Sequence, residues 1–172
     1  GKARQFIDLC DAFHIPIISL MDCPGFLVGP DIERQRMVSL TGRLLNSIMG
    51  ASVPLVTVVL RKAIGLAYIA LGGRAVEPDL LVAWPKARFD VMGPEAGIEL
   101  LHGREIAKAE NPTQARDDIR KRIEIESSAY AAAGLGLIDD VIAPGETRQQ
   151  ILQALERCRG SQTYAWKHRI DP

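Results

Sequence analysis

The stretch from Val53 to Gly73 constrains the fold more than any other part of the 172-residue chain. It begins with an unbroken apolar run, Pro54 to Leu60, whose valine-rich composition predicts a strand buried on both faces. The basic pair Arg61-Lys62 then indicates a solvated turn, and Gly65 leads into a helical pattern. A buried strand that turns through glycine into a helix directs unpaired backbone N–H groups to one point, which suits an anion or a developing oxyanion. Taken alone, these residues favour an ordinary strand–turn–helix connection.

A second unit of the same kind comes earlier in the chain. Ala3 to Phe13 has the apolar spacing of a helix, and Ile15 to Met21 follows as a short buried strand. The sequence DCPGF, residues 22–26, closes that strand with a glycine turn, and Asp31 to Ala51 is predicted as one long helix that leads back to the valine-rich strand. In a parallel sheet both turns lie at the same edge, where ligands bind. Topology therefore predicts that the two glycine turns meet.

Composition limits the classes of partner and compartment. The 47% apolar content is enough for the core of one domain, and the equal numbers of basic and acidic residues, 21 each, give no net charge that would attract nucleic acid or an anionic membrane. The three cysteines (Cys10, Cys23 and Cys158) are too widely spaced for a disulfide framework or a zinc site. We therefore expect no metal, no nucleic acid and no membrane contact, and a location in the cytoplasm, or in the mitochondrial matrix of a eukaryote.

The side-chain motifs of common enzymes are missing from the sequence. No G-x-S-x-G, G-x-G-x-x-G or P-loop segment occurs, and the three histidines (His14, His102 and His168) lie at predicted helix or chain ends. The pair Asp139-Asp140 is interpreted as a turn feature at the start of a strand. What remains is backbone chemistry at two glycine turns, which is suited to stabilising an enolate or a ureido oxyanion.

Several segments in fixed order resemble a known family. They are ARQFIDLCDAFHIPIISLMDCPGFLVG, VPLVTVVLRKAIGLAY, AWP, VMGPEAG and AGLGLIDDVIAPGETR, running from Ala3 to about Leu155. On these segments the chain resembles the C-terminal half of the carboxyltransferase (beta) subunit of biotin-dependent acyl-CoA carboxylases, in the crotonase-like superfamily. The resemblance implies an α/β fold of the crotonase (Clp protease)-like type, with repeated β-β-α units and flanking helices. This domain is expected over residues 1–159, with a C-terminal tail at 160–172 that is mobile or lies on a partner.

The resemblance also implies a reaction divided between two polypeptide halves. The N-terminal half holds the acyl-CoA and stabilises its thioester enolate, whereas this half receives carboxybiotin on a biotin carboxyl carrier protein. The carboxyl group passes to the α carbon of the acyl-CoA, and the biotin anion takes the α-proton, so that no protein general base is needed. The implied partners are the N-terminal half, the carrier protein, biotin carboxylase and further copies of the subunit, which forms hexamers in the family.

The resemblance places the ureido oxygen of biotin between the two glycine turns. The implied catalytic donors are the backbone N–H groups of Gly25, Phe26, Leu66 and Ala67. The implied substrate-binding residues are Pro24, Gly65, Tyr68 and Ile69.

Several of these residues also have a plainer interpretation. Both glycines can serve only to permit positive φ in a turn. Tyr68 is as readily a core residue with a bonded hydroxyl as a substrate contact, and Ile69 either shapes the acyl pocket or fills the core. Trp84 is interpreted as buried packing rather than as a platform for biotin, and the pair Arg61-Lys62 as a solvated turn rather than as a site that attracts the CoA phosphates.

One departure from the family pattern bears on the acyl substrate rather than on the reaction. Many members have two adjacent glycines in a G-G-A-Y turn, where this chain has GLAY at residues 65–68. Three alternatives to the carboxylase reading stay open: a biotin-dependent acyl-CoA decarboxylase subunit, a crotonase-type hydratase or isomerase, and an assembly module. The hydratase or isomerase needs an acidic residue beside the second glycine turn, and Leu66 to Gly73 contains none.

Overall fold

The computed structural model describes residues 1–159, which form nine α-helices and five strands. The strands are β1 (Ile17–Cys23), β2 (Leu55–Ile64), β3 (Leu80–Ala83), β4 (Arg88–Asp90) and β5 (Asp140–Val141). The helices are α1 (Lys2–Ala12), α2 (Pro30–Arg34), α3 (Met37–Gly50), α4 (Gly65–Ala70), α5 (Pro94–Gly97), α6 (Gly103–Lys108), α7 (Pro112–Glu126), α8 (Ala129–Gly134) and α9 (Thr147–Arg157). A π-helical turn (Ile98–His102) joins α5 to α6, and 3-10 turns lie at Arg74–Val76 and Pro144–Glu146. The predicted tail, 160–172, lies outside the described residues.

Strand β2 is the centre of a parallel sheet with the order β1-β2-β3-β5. Its first half pairs with β3, from Val56 to Val59, and its second half pairs with β4, from Lys62 to Ile64. Along its other edge β2 pairs with β1, starting with Ile17 opposite Leu55. Because β2 has neighbours on both edges, its valine run is completely buried.

The two faces of the sheet are covered by different helices. Val56, Val58 and Val82 point to the face packed by α9, whose Ala154 is buried there. Residues of the opposite register, among them Val59 and Leu81, pack against α8 and the aromatic ring of α4. A third apolar cluster joins α1 and α3 to the first residues of β1 and β2. Helix α4 therefore lies on the sheet, directly after the strand that leads into it.

The predicted α/β order is confirmed, but two local predictions are wrong. The expected single helix from Asp31 to Ala51 is broken at Gln35 and Arg36, where Arg36 has φ 59°. This left-handed residue ends the helical path, so α2 and α3 run as separate helices. The pair Arg61-Lys62 is not in a turn but within β2. The Arg61 side chain is exposed, and its guanidinium bonds Asp22 on β1.

Among residues 1–159, no helix is long and apolar enough to cross a membrane. In the same range no cluster of three or more His, Cys, Asp or Glu side chains has a metal-binding arrangement.

Candidate active site

The two glycine turns meet at the carboxyl edge of the sheet, as topology predicted. Strand β1 ends at Cys23, which is in register with Ala63 near the end of β2. A Cβ atom placed on Gly25 would lie 3.8 Å from the carbonyl oxygen of Ile64, the residue immediately before the second turn. The two turns are therefore direct neighbours in space although they are about 40 residues apart in the chain.

Gly65 is required at the second turn for two separate reasons. Its φ of 64° lies in the left-handed region, which side chains with a Cβ rarely adopt. A Cβ atom at this position would also lie 3.0 Å from the carbonyl oxygen of Val91, closer than nine in ten real contacts of this kind. Because the backbone turns here, β2 can pass into α4 without an intervening loop.

Helix α4 presents two N–H groups to this edge. It begins at Gly65, so the N–H groups of Leu66 and Ala67 have no acceptor within the helix. Neither of them donates to another backbone carbonyl in the described part of the chain. The helix N-terminus carries a partial positive charge, which favours a negatively charged ligand.

The first turn contributes a similar pair of donors. Gly25 has φ 114°, again in the region that favours glycine. Its carbonyl oxygen accepts a hydrogen bond from the Cys23 thiol at 3.7 Å, which helps to fix the turn. Within residues 1–159 the N–H groups of Gly25 and Phe26 donate to no backbone carbonyl. Four such N–H groups, two from each turn, thus lie at one edge of the sheet.

The eight residues that the resemblance implied lie on the first turn (Pro24, Gly25 and Phe26) and on α4 (Gly65 to Ile69), and the two turns are neighbours in space. Gly25 and Phe26 are half-buried, and Pro24 beside them is exposed. On α4, Ala67 is fully buried, whereas the Leu66 side chain is 50% exposed. Since the Leu66 side chain is half exposed, a leucine replaces the family's second glycine here without occupying the core.

Tyr68 has a bonded hydroxyl and a packed ring. The hydroxyl oxygen accepts the backbone N–H of Arg74 at 3.0 Å, and burial raises the pKa of the phenol. The ring lies edge-on to Phe89, with centroids 5.8 Å apart, and rests against Gly73. These contacts agree with the interpretation of Tyr68 as a core residue. Contact of Tyr68 or Ile69 with the substrate stays a prediction.

Sequence reasoning missed Arg74, which connects this tyrosine to a distant part of the sheet. The Arg74 guanidinium pairs with the Asp139 carboxylate, whose second oxygen accepts the N–H of Leu81 at 2.8 Å. The adjacent glycines Gly72-Gly73 could have indicated this region, because glycine often marks a place where the backbone closely approaches another group. Asp139 was interpreted as a turn feature, and it does bond the backbone.

Trp84 packs on the sheet, and Arg61 lies beside the first residue of the first turn. The Trp84 indole N–H donates to the Thr147 hydroxyl at 2.9 Å, and the ring packs against the α9 face of the sheet. The prediction that Trp84 is packing is confirmed. Arg61 bonds both oxygens of Asp22, and this hydrogen bond holds the pKa of the Asp22 carboxyl below its ordinary value.

A cavity of about 210 Å³ lies at the opposite edge of the sheet, at the amino ends of β1 and β2. Its lining includes Ser52, Glu77 and Asp79 but none of the residues of the glycine turns. The carboxylate of Asp79 is already bonded to the N–H of Leu55. This cavity is therefore separate from the backbone donors described above.

Comparison with known proteins gives a consistent match over almost the whole chain. The model of the carboxyl transferase domain family matches residues 1–170. The carboxyltransferase subunit of propionyl-CoA carboxylase from Haloferax mediterranei is 39% identical over 155 residues, covering 90% of this chain and 30% of that subunit. The alpha subunit of methylmalonyl-CoA decarboxylase from Propionigenium modestum is 36% identical over 160 residues, covering 92% of this chain and 31% of that subunit.

A solved structure gives the same result for the fold. Transcarboxylase 12S, a hexamer described with methylmalonyl-coenzyme A and methylmalonic acid bound, superposes with a TM-score of 0.91 at 35% identity. The match covers 99% of this chain and 33% of that one. The predicted crotonase-like fold is confirmed. The chain spans about a third of the length of these relatives, within their C-terminal half.

Proposed function

The chain belongs to the carboxyl transferase domain family, and from that premise we propose that it forms one half of the carboxyltransferase site of a biotin-dependent acyl-CoA carboxylase. The single observation that carries the proposal is the meeting of two positive-φ glycine turns at the carboxyl edge of neighbouring parallel strands. Backbone donors of this kind, fixed before the reaction, stabilise oxygen atoms on which negative charge develops.

We assign the donor role to the N–H groups of Gly25, Phe26, Leu66 and Ala67. The residues fit the ureido oxygen of biotin, since each turn leaves two N–H groups without a backbone acceptor among residues 1–159. Carboxybiotin, when bound, supplies an activated carboxyl group and, after transfer, a ureido oxygen that carries negative charge. The protein's part is to hold that oxygen by hydrogen bonds and to exclude water.

The remaining implied site residues shape the space around these donors. Pro24 restricts the backbone before Gly25, and Gly65 sets the direction of the first turn of α4. Ile69 follows on α4 and is half-buried, so we assign it to the apolar wall that faces the acyl group. Tyr68 supports the helix through its ring, which packs on Phe89, and through its hydroxyl, which accepts the Arg74 N–H.

The proposed substrates and partners follow from the relatives. Their names specify propionyl-CoA and methylmalonyl-CoA, so we propose a short-chain acyl-CoA as the carboxyl acceptor. The biotin is carried on a biotin carboxyl carrier protein and recharged by biotin carboxylase. The N-terminal half of a carboxyltransferase completes the site, and assembly into a hexamer like that of transcarboxylase 12S brings the halves together.

A decarboxylase is the second candidate, because the methylmalonyl-CoA decarboxylase alpha subunit matches almost as well as the carboxylase subunit. The same backbone donors serve transfer in either direction, since a catalyst lowers the barrier equally for the forward and reverse steps. A crotonase-type hydratase or isomerase is less well supported, since α4 provides no carboxylate beside the second turn.

Cys10, Cys23 and Cys158 form no disulfide within residues 1–159, and the proposed compartment is a reducing one. We propose the cytoplasm, or the mitochondrial matrix in a eukaryote.

The experiment uses the complete subunit that contains this chain, purified with its biotin carrier protein. Labelled carboxybiotin is mixed with acetyl-CoA, propionyl-CoA or butyryl-CoA, and label in the acyl-CoA product is measured. In the reverse assay, methylmalonyl-CoA is supplied with uncarboxylated carrier. Transfer in either assay supports a carboxyltransferase, and the direction favoured under cellular conditions separates carboxylase from decarboxylase. Hydration of enoyl-CoA without any carboxyl transfer would overturn the proposal.

A further inference from the structure

Hydrogen bonds of the Arg74 backbone and side chain connect Tyr68 on α4 to the segment before β5 and, through Asp139, to β3. The Tyr68 hydroxyl accepts the N–H of Arg74 at 3.0 Å, four residues after the last residue of α4. The Arg74 guanidinium then donates to Asp139 and, at 3.3 Å, to the carbonyl oxygen of Leu137. The second oxygen of Asp139 accepts the N–H of Leu81 on β3 at 2.8 Å. Helix α4 is thus tied to β3, which does not carry either glycine turn.

The ring of Tyr68 has little freedom to move within this arrangement. A Cβ atom on Gly73 would lie 2.7 Å from the ring, so the backbone at Gly73 contacts one side of it directly. Phe89 packs edge-on against the ring, at 86° to its plane. The ring is therefore held between β4 and the segment that follows α4, and its hydroxyl is directed at Arg74.

Helix α4 is too short for its two ends to move independently. It has six residues, fewer than two turns, and Tyr68 follows Ala67 directly. We therefore expect a displacement of the backbone at Tyr68 to move the N–H groups of Leu66 and Ala67 as well. Displacements of about 1 Å in groups that position a reaction can lower its rate about 100-fold.

The ion pair itself contributes little to folding. The side chains of Arg74 and Asp139 are 36% and 38% exposed, and ion pairs at such exposure stabilise a protein only slightly. The pair nevertheless has fixed geometry, because Asp139 is also bonded to the completely buried Leu81. Such geometry suits positioning better than it suits stabilisation.

We infer that Tyr68, Arg74 and Asp139 form a clamp that positions α4, so that the Leu66 and Ala67 amides stay aligned with the Gly25 turn. The inference rests on the proposed function, because it assigns these three residues to the support of that site. They are positioning residues, and the Tyr68 hydroxyl acts by accepting the Arg74 N–H rather than by contacting the acyl-CoA.

The test compares Tyr68→Phe, Asp139→Asn and Arg74→Lys in the complete enzyme, with Glu95→Gln as the matched control. Glu95 also bonds arginine side chains, Arg116 and Arg120, but it lies on α5 away from the clamp. Tyr68→Phe and Asp139→Asn are each expected to lower kcat about 5-fold to 50-fold with KM within twofold, because the amides are misplaced rather than lost. Arg74→Lys keeps the charge and is expected to retain more of the rate.

Amide hydrogen exchange provides a readout that does not depend on activity. Exchange in the segment 65–73 is expected to rise in Tyr68→Phe and Asp139→Asn and to stay unchanged in Glu95→Gln. Unchanged exchange in the two clamp variants would overturn the inference, and so would an unchanged kcat.

A further variant, Gly65→Ala, distinguishes a failure of the clamp from a failure of the proposed function. If Gly65→Ala loses transfer while the clamp variants keep the full kcat, the clamp is wrong and the proposed function stands. If Gly65→Ala itself keeps full turnover, the donor site is wrong, and the inference that depends on it is overturned as well.

Discussion

The carbonyl oxygen of Ile64 lies 3.8 Å from the point that a Cβ atom on Gly25 would occupy. The ends of two neighbouring parallel strands, β1 and β2, are therefore close together, and each strand turns through a glycine with positive φ. The contact explains how two glycine turns remote in the chain supply N–H groups to one place. Because the two turns are this close, we expect a change of backbone conformation at one turn to displace the other.

Gly25 and Gly29 allow a matched test of the first turn. Both have φ in the region that favours glycine, 114° and 130°, and a Cβ atom on either would meet no severe clash. Replacing each by alanine should cost a similar amount of stability, of order 1–3 kcal/mol. Only Gly25→Ala is expected to lower carboxyl transfer, by tenfold or more, because it displaces the Gly25 and Phe26 amides. Equal transfer rates in the two folded variants would count against a role for this turn.

The isolated chain is expected to have no turnover. It contains the proposed carboxybiotin side of the site, whereas the resemblance assigns acyl-CoA binding to the other half. The measurement is a carboxyl-transfer assay of the isolated chain with labelled carboxybiotin and propionyl-CoA, with the complete subunit as the positive control. Robust transfer by the chain alone would show that the site is not divided.

The isolated chain is also expected to associate. Val38 and Met49 on α3 are 80% and 63% exposed, and Leu152 on α9 is also exposed, which leaves apolar surface in contact with water. Light scattering over a range of concentrations should give a mass above that of a monomer, and Val38→Lys should lower it. A monodisperse monomer at high concentration would contradict this expectation.

Glu95 should make stability depend on pH in the acid range. Its carboxylate bonds Arg120 and Arg116, and these hydrogen bonds hold its pKa below the ordinary 4.5. A lowered carboxyl pKa adds stability above the ordinary value, and this stability is lost as the pH falls through the lower, folded-state pKa. Glu95→Gln should therefore lower the midpoint of urea unfolding at pH 6, and the difference from the parent should shrink below about pH 4. A difference that does not change with pH, or the same change in Glu126→Gln, would refute this account.

The parts of the fold that the sequence predicted are those governed by local pattern and by topology. The valine run of β2 has no competing interpretation, and the positive φ at Gly25 and Gly65 is what glycine after a strand indicates. The meeting of the turns then follows from the parallel order of the strands, without any knowledge of side-chain contacts.

The parts that were missed depend on contacts distant in sequence. Neither glycine nor proline marks the break at Arg36, so the helical pattern continues through it. The sequence predicts Arg61 in a turn because the partner of its charge, Asp22 on the neighbouring strand β1, is 39 residues away in the chain. The bond between Arg74 and Asp139 joins residues 65 positions apart, and nothing in either local sequence predicts the other.

The central claim is that backbone N–H groups at the second glycine turn stabilise negative charge during carboxyl transfer. Gly65 and Gly136 provide its most direct test, because their φ values are nearly the same, 64° and 70°, and Gly136 lies after α8, outside the site. Both are replaced by alanine in the complete enzyme, folding is checked by circular dichroism, and kcat for transfer from carboxybiotin is measured. The account predicts that Gly136→Ala retains near-normal turnover, whereas Gly65→Ala loses about 100-fold to 1,000-fold, about 3–4 kcal/mol. Near-normal turnover in folded Gly65→Ala would contradict the account, and Gly65 would then serve only to form the turn.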